Sequence, residues 1–438
     1  MAERPIPPQF IDDADAPRLV QPIPRVASDP TISRPAIRKR GFLASLDIPI
    51  TVVVTLLIAI GGLMVYSTTF YWSYTDFGSE TYIVLIHLRN MVVGTVFLIA
   101  LAVIDYRIWK RFAVLLLLLT VAVLIAVLLF SDQVFGARRS FIGGSYQPGE
   151  LAELVVVVYM AAWLGSKNTK VHSFFNGMLP FLILLGVVGG LVLLQPDLST
   201  AATIVIVAGV LYFLAGANMY HLLGIMGLLG AAGLVFSQQL DYAQDRLSGF
   251  SAGLGDLSQT TYHAQQALIA FINGGWTGMG LGQGRQKFQN LPAPHTDSIF
   301  AVIGEELGVI GAAFVVFLFV VFVFRGFQIA RRAKEPFGAL LAAGITLWII
   351  TKALLNIAVM LSLVPPTGVA LPFISYGGSS LVTVMAGAGL LLSIARVTAR
   401  PPASEGKSKR ADHDRGWGNR WSRLSGDSRR RGTPPAPG

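Results

Sequence analysis

The chain has 438 residues, 53% hydrophobic and only 13% charged, with a formal charge of +10 and no cysteine. A soluble domain needs roughly 25% charged residues to coat its surface, so the outside of this protein must face lipid. Without cysteine there is no disulfide staple and no thiolate metal or redox chemistry. The excess of Lys and Arg sits largely in the two tails and in short loops, which argues for membrane topology and against a nucleic-acid surface.

A helical span takes ~20 mostly apolar residues. Residues 1–44 are polar and proline-rich, carry no apolar core near Met1, and read as a disordered tail rather than a cleaved signal peptide. Candidate spans then follow near 46–68, 83–104, 111–130, 150–165, 175–194, 199–216 and 220–238. A long loop occupies 239–297, and three more spans lie near 298–323, 337–363 and 379–396. Residues 397–438 read as a strongly basic, disordered tail that solubilises the chain and fixes its topology, close to anionic inner-leaflet lipid. The expectation is an all-α, polytopic membrane domain of about ten spans over 45–396.

Charge asymmetry orients it. Arg38, Lys39 and Arg40, then Arg107, Lys110 and Arg111, Lys167 and Lys170, and Arg325, Arg331, Arg332 and Lys334 all fall on one side. By the positive-inside pattern that side is cytoplasmic, with both termini on it. The opposite loops at 69–82, 195–198 and 364–378 contain no Lys or Arg. Arg138 and Arg139 break the pattern on the outer side; a phosphate-bearing ligand or lipid headgroups would account for them. Arg285 and Lys287 in the long loop add two phosphate-ligand candidates.

Carboxylates at membrane depth are costly and mark sites. Glu150 and Glu153 stand in or near the fourth span after Gln147-Pro148-Gly149. Asp197, after Gln195-Pro196, caps the sixth span. Asp297 sits where the long loop meets the eighth span, in Leu291-Pro292-Ala293-Pro294-His295-Thr296-Asp297. Helical spacing puts 297 and Glu305 on one face, lining one cavity, with Glu306 beside them. Asp297 is thus either a catalytic group or a helix cap, and Thr296 competes for the capping role. The glycines of 274–284 lack the flanking strand and helix of a dinucleotide loop and read as a flexible re-entrant or surface turn. A breaker-rich stretch, Leu371-Pro372-Phe373-Ile374-Ser375-Tyr376-Gly377-Gly378-Ser379-Ser380, separates the last two spans. Irregular backbone at that depth lines a cavity or is buried in protein. The six His show no metal-ligand spacing.

Taken together, these motifs resemble the SEDS family (shape, elongation, division and sporulation), whose members include FtsW and RodA. The resemblance covers about residues 45–396. It rests on Gln147-Pro148-Gly149-Glu150, Gln195-Pro196-Asp197-Leu198, Gly280-Leu281-Gly282 with Gln286-Lys287, Leu291-Pro292 with His295-Thr296-Asp297, Glu305-Glu306-Leu307-Gly308, and Leu371-Pro372 through Ser379-Ser380. It implies a peptidoglycan glycosyltransferase that polymerises lipid II at the outer face of the cytoplasmic membrane beside a class B penicillin-binding protein, within a division or elongation complex. The family's essential Asp falls on Asp297 and its outer-loop Arg on Arg139. Glu150, His295, Arg138, Arg285 and Lys287 are candidates for further substrate contacts, and Glu305, Glu306, Ser375 and Ser379 would support them. No cofactor is called for, and a divalent cation stays open. A lipid-linked precursor flippase and a non-catalytic scaffold are the rival readings.

The chain departs from the family pattern at Phe135 for Asn, Ser140 for Trp, Ser199 for Gly, and Glu153 for Lys. The last reverses a charge in the presumed cavity. The long tails and the Gly-Glu-Glu-Leu-Gly context lean toward the FtsW-like branch.

Overall fold

The structure is a computed structural model and describes residues 47–130, 147–167, 169, 171–238, 241–256, 259–288 and 290–399. Arg138 and Arg139, Lys170, and nearly all of both tails lie outside the described residues. Among the described residues the protein is entirely helical. In chain order the helices are α1 (Ile48–Phe77), α2 (Tyr82–Val103), α3 (Arg107–Phe130), α4 (Pro148–Leu164), α5 (Leu179–Leu194, after a π-turn at Phe174–Met178), α6 (Leu198–Leu214), α7 (Met219–Ser237), α8 (Asp241–Gly255), α9 (Tyr262–Gly274), α10 (Ile299–Arg332), α11 (Pro336–Met360) and α12 (Gly378–Thr398).

Ten of these coincide with the expected spans; α8 and α9 belong to the long loop, where α9 realises the short helix suggested by Tyr262 to Phe271. Seven are long and apolar enough to cross a membrane, α5 counted with its π-turn. The others, α4, α6 and α7, have 17, 17 and 19 residues. A 17-residue helix is about 26 Å long, a few ångströms short of a hydrocarbon core of ~30 Å.

The helix ends follow from local chemistry. Asp47 caps α1 through Ile50 N–H at 3.3 Å. Asp197 caps α6 as expected, accepting from Thr200 N–H at 3.0 Å and from the Ser199 and Thr200 hydroxyls at 2.8 Å. Thr261 caps α9.

A helix that is apolar all round belongs in the interior. In α4, 13 of 17 residues are buried, and α12 is 83% buried over its most apolar stretch, against 11% for α2. The outward faces of α2 and α3 present Leu85, Val92, Val96, Leu115 and Leu118 to the surroundings, a lipid-facing surface. Where α2 meets α12 the backbones nearly touch. A side chain at Gly389 would lie 2.4 Å from the Leu98 carbonyl, the small-residue packing that membrane helices use.

Two ion pairs join segments that the charge pattern groups together. Arg325 bonds Asp47 at 2.9 Å, and Arg107 bonds Glu335 at 3.0 Å. All four residues border segments assigned to the same side, and the structure gathers them at one end of the bundle.

Candidate active site

At the opposite end, three sets of polar side chains are held by the start of α4, the long loop, and the 361–377 connection. The first begins where Pro148 opens α4, a position that needs no N–H, and places Glu150 in the first turn, where the helix dipole favours an anion. Glu153 follows one turn later on the same face. Both carboxylates meet Lys352 from α11. The Lys352 ammonium pairs with Glu150 and, at 3.0 Å, with Glu153, whose Oε2 also accepts from Trp348 Nε1 at 2.7 Å. Lys352 is 2% exposed, so the ammonium is sustained there only by these partners. The charge reversal at Glu153 is therefore matched by a cation arriving from another helix.

The second set surrounds Glu306. Its carboxylate accepts from the Ser67 hydroxyl at 2.7 Å, from Gly282 N–H at 3.1 Å, and from Lys287 Nζ at 2.6 Å. Lys287 also donates to the Ser67 hydroxyl and the Gly282 carbonyl, both at 2.9 Å, and is 1% exposed. All three of its protons are thus used within the protein. Glu305 is fully buried and accepts from Arg285 N–H at 3.1 Å, Gln286 N–H at 3.2 Å and Asn273 at 3.3 Å.

The glycine run wraps this cluster and is pinned rather than free. Helix α10 is interrupted at Gly308, whose φ of 70° and ψ of −172° are open essentially only to glycine. The break strips nearby backbone groups of their helical partners, and the loop supplies replacements. Met279 and Gly280 N–H bond the Glu305 and Glu306 carbonyls at 3.0 Å, and Val309 and Ile310 N–H bond the Gly275 and Trp276 carbonyls at 2.9 and 3.2 Å. A Cβ at Gly278 would lie 2.2 Å from the Glu306 carbonyl, so no larger residue fits.

The third set holds Asp297, which precedes α10. Ser298 occupies the capping position without a side-chain capping bond, and among the described residues the Asp297 carboxylate accepts only the neighbouring Thr296 hydroxyl, at 3.0 Å. Neither Asp297 nor Thr296 caps the helix. The Asp297 backbone is fixed instead. Its carbonyl accepts from Asn356 of α11 at 2.7 Å, the Thr296 carbonyl from Ser375 at 2.5 Å, and the His295 carbonyl from Tyr376 N–H at 2.8 Å. Ala293, at φ 47°, carries backbone strain beside it. Behind Asp297, His263 shares a 2.7 Å bond with the Ser298 hydroxyl. The His295 ring lies edge-on to Tyr376. Burial pushes the pKa of both imidazoles down, and the Asp297 charge opposes that shift.

Asp297 lines a cavity of about 2470 Å³. Glu150, Asp197, Ser379, Tyr376, Arg89 and Arg246 share its wall, and the remainder is largely Leu, Val, Ile and Gly from α3, α5, α6 and α7. Ser379 also accepts Gln147 N–H at 3.1 Å, tying the α12 start to the α4 start.

The structure thus brings Asp297, Glu150 and Ser379 to one cavity, with Ser375 bonded to the Thr296 carbonyl beside Asp297. It does not bring Glu305, Glu306, Lys287, Arg285 or His295 there. The expected shared face of 297 and 305 fails because Asp297 lies off the helix, while Glu305 turns toward the glycine loop. Arg89, Arg246, Lys352 and Asn356 went unread in the sequence. Lys352 and Arg89 had a signal, a cation inside an apolar run. Among the described residues no three His, Asp or Glu side chains converge to hold a metal ion.

With two guanidinium groups, three carboxylates and a largely apolar remainder, the cavity suits an amphipathic ligand with an anionic head and a hydrocarbon tail. The comparisons with known proteins bear on what that ligand is. The family model described as "Cell cycle protein", covering FtsW, RodA and SpoVE, matches residues 48–400. The chain is 36% identical over 356 residues to stage V sporulation protein E of Bacillus subtilis, spanning 80% of this chain and 97% of that one. It is 40% identical over 298 residues to the probable peptidoglycan glycosyltransferase FtsW of Geobacter sulfurreducens, spanning 66% and 79%. The fold matches the rod shape determining protein RodA of Thermus thermophilus with a TM-score of 0.59 at 24% identity, over 81% and 98% of the two chains. It also matches, at 0.67 and 24% over 81% and 99%, a chain from the structure titled "Structural coordination of polymerization and crosslinking by a peptidoglycan synthase complex".

Proposed function

This chain belongs to the FtsW, RodA and SpoVE family, and from that premise we propose that it is a peptidoglycan glycosyltransferase that polymerises lipid II at the outer face of the cytoplasmic membrane. The observation that carries the reading is Asp297. Its backbone is clamped from two elements, its carboxylate is not consumed by a helix cap, and it stands on the wall of a cavity lined by a few charged side chains and many apolar ones.

Glycosyl transfer from a pyrophosphate-linked donor forms a bond between the acceptor's sugar hydroxyl oxygen and the donor's anomeric carbon. The bond from that carbon to the pyrophosphate breaks, and its electron pair leaves on the phosphate oxygen. Asp297 takes the proton from the attacking hydroxyl. Arg89 and Arg246 on the cavity wall, together with Arg139, offset the charge that grows on the pyrophosphate. Glu150 orients the acceptor, while Glu305, Glu306 and Lys287 hold the loop that carries Asp297. The apolar lining receives the polyprenyl chain. The partner is a class B penicillin-binding protein in a division or elongation complex, and both termini are cytoplasmic.

The test is labelled lipid II with the purified protein and its penicillin-binding partner in vesicles. Wild type makes glycan polymer, and Asp297→Asn makes none while binding lipid II normally. Full polymerisation by Asp297→Asn removes the assignment. Scrambling of lipid II without polymer identifies a flippase, and neither activity identifies a scaffold.

A further inference from the structure

Helix α11 touches both cavity-wall carboxylate sites, and it does so with residues one turn apart. Lys352 engages Glu150 and Glu153 on α4. Asn356, at i+4 on the same face, donates from one Nδ2 to the Asp297 carbonyl and the Val369 carbonyl, each at 2.7 Å. Both side chains are nearly sealed from solvent, at 2% and 1% exposure, and Trp348 on the preceding turn adds a bond to Glu153. Three consecutive turns of one rigid helix therefore grip α4 on one side and the Asp297 segment on the other.

We infer that α11 sets the spacing between Glu150 and Asp297, with Lys352 and Asn356 as positioning residues, and that the ammonium partner of Glu150 is supplied across the helix interface. The inference rests on the glycosyltransferase reading of the cavity. Its physical basis is that an ammonium is needed next to Glu150 but its origin is open. Positions 150 and 153 lie one turn apart on α4, so a lysine at 153 reaches Glu150 within the helix as well as Lys352 reaches it from α11. The cluster holds two carboxylates and one ammonium among the charged side chains that meet there, and exchanging residues 153 and 352 conserves that inventory.

Four proteins decide it: wild type, Lys352→Gln, the exchange variant Glu153→Lys/Lys352→Glu, and Asn356→Leu. Each is purified with its penicillin-binding partner, checked for folding by thermal melting and size exclusion, and assayed with lipid II for kcat and KM separately. Misplacing reacting groups by about 1 Å costs ~100-fold in rate. The expected result is a kcat loss of that order in Lys352→Gln and Asn356→Leu, with KM changed less than threefold, and recovery to within about tenfold of wild type in the exchange variant. Full kcat in Lys352→Gln or Asn356→Leu overturns the inference. So does an exchange variant that folds without regaining activity, or one that does not fold. If Lys352→Gln itself fails to fold, the exchange variant decides alone. An inactive wild type under these conditions counts against the glycosyltransferase reading, not against the strut.

Discussion

Removing the cation from the buried Lys287–Glu306 pair measures what that pair contributes to stability. As a cation in an outer loop Lys287 suggests phosphate binding; in the structure it is buried against Glu306 at 2.6 Å. Replacing it with Met removes the ammonium and keeps the volume. Glu306 is then left as an ion at 1% exposure with only the Ser67 hydroxyl and Gly282 N–H to solvate it. Breaking a buried pair by removing one partner costs about 3–5 kcal/mol. At roughly 2–4 °C per kcal/mol, the thermal midpoint falls by on the order of 10 °C. Replacing both ions, in Lys287→Met/Glu306→Met, recovers most of that loss because no unpaired charge remains. The assay is a thermal melt of the purified protein in detergent, paired with lipid II binding. An unchanged midpoint with weakened lipid II binding would refute the structural role and return Lys287 to the substrate.

Three further outcomes follow from particular geometries. Gly308→Ala places a Cβ 2.4 Å from the Gly278 nitrogen at a backbone angle closed to alanine, so it destabilises by about 1–3 kcal/mol and opens the glycine loop; faster protease cleavage within 275–290 reports it. His263 and His295 have pKa values lowered from the ordinary 6.5, chiefly by burial, so the unfolded chain binds more protons below that pH. Stability of the long loop is then complete above about pH 7 and falls as pH drops through 6.5, seen as faster hydrogen exchange in 262–274 and 291–298; equal loss in a His263→Gln/His295→Gln protein contradicts the attribution. Ser375→Ala removes the bonds to the Thr296 carbonyl and from Leu371 N–H, and lowers polymerisation by roughly tenfold with little change in melting.

The bilayer architecture was legible because crossing hydrocarbon demands long apolar runs, and the charge of the loops then divided the ends. What the sequence concealed was the path of the chain between spans. Nothing in the spacing of Glu305-Glu306-Leu307-Gly308 announces a break filled by backbone from residues 275–280. Asp297 and Glu305 would share a helical face only if the helix began before 297; with its start at Ile299 and Glu305 drawn to the loop, they part. Asp197 was readable as a cap because capping is a contact of a few residues. The cross-helix bonds of Lys352 and Asn356 are about 200 and 59 residues long in sequence, and no local pattern encodes them. Arg89 shows the other limit. It stood in plain view within the second span, yet charge on its own does not reveal which way a helix face turns.

The break at Gly308 makes the long loop something other than an appendage. Four of its backbone groups complete the hydrogen bonding of α10, so peeling the loop away would strand eight donors and acceptors, each expensive to leave bare near hydrocarbon. Loop and helix consequently travel as one mechanical body. A protein that seizes residues 275–280 from outside holds a handle on α10, and through α10 on the segment that carries Asp297.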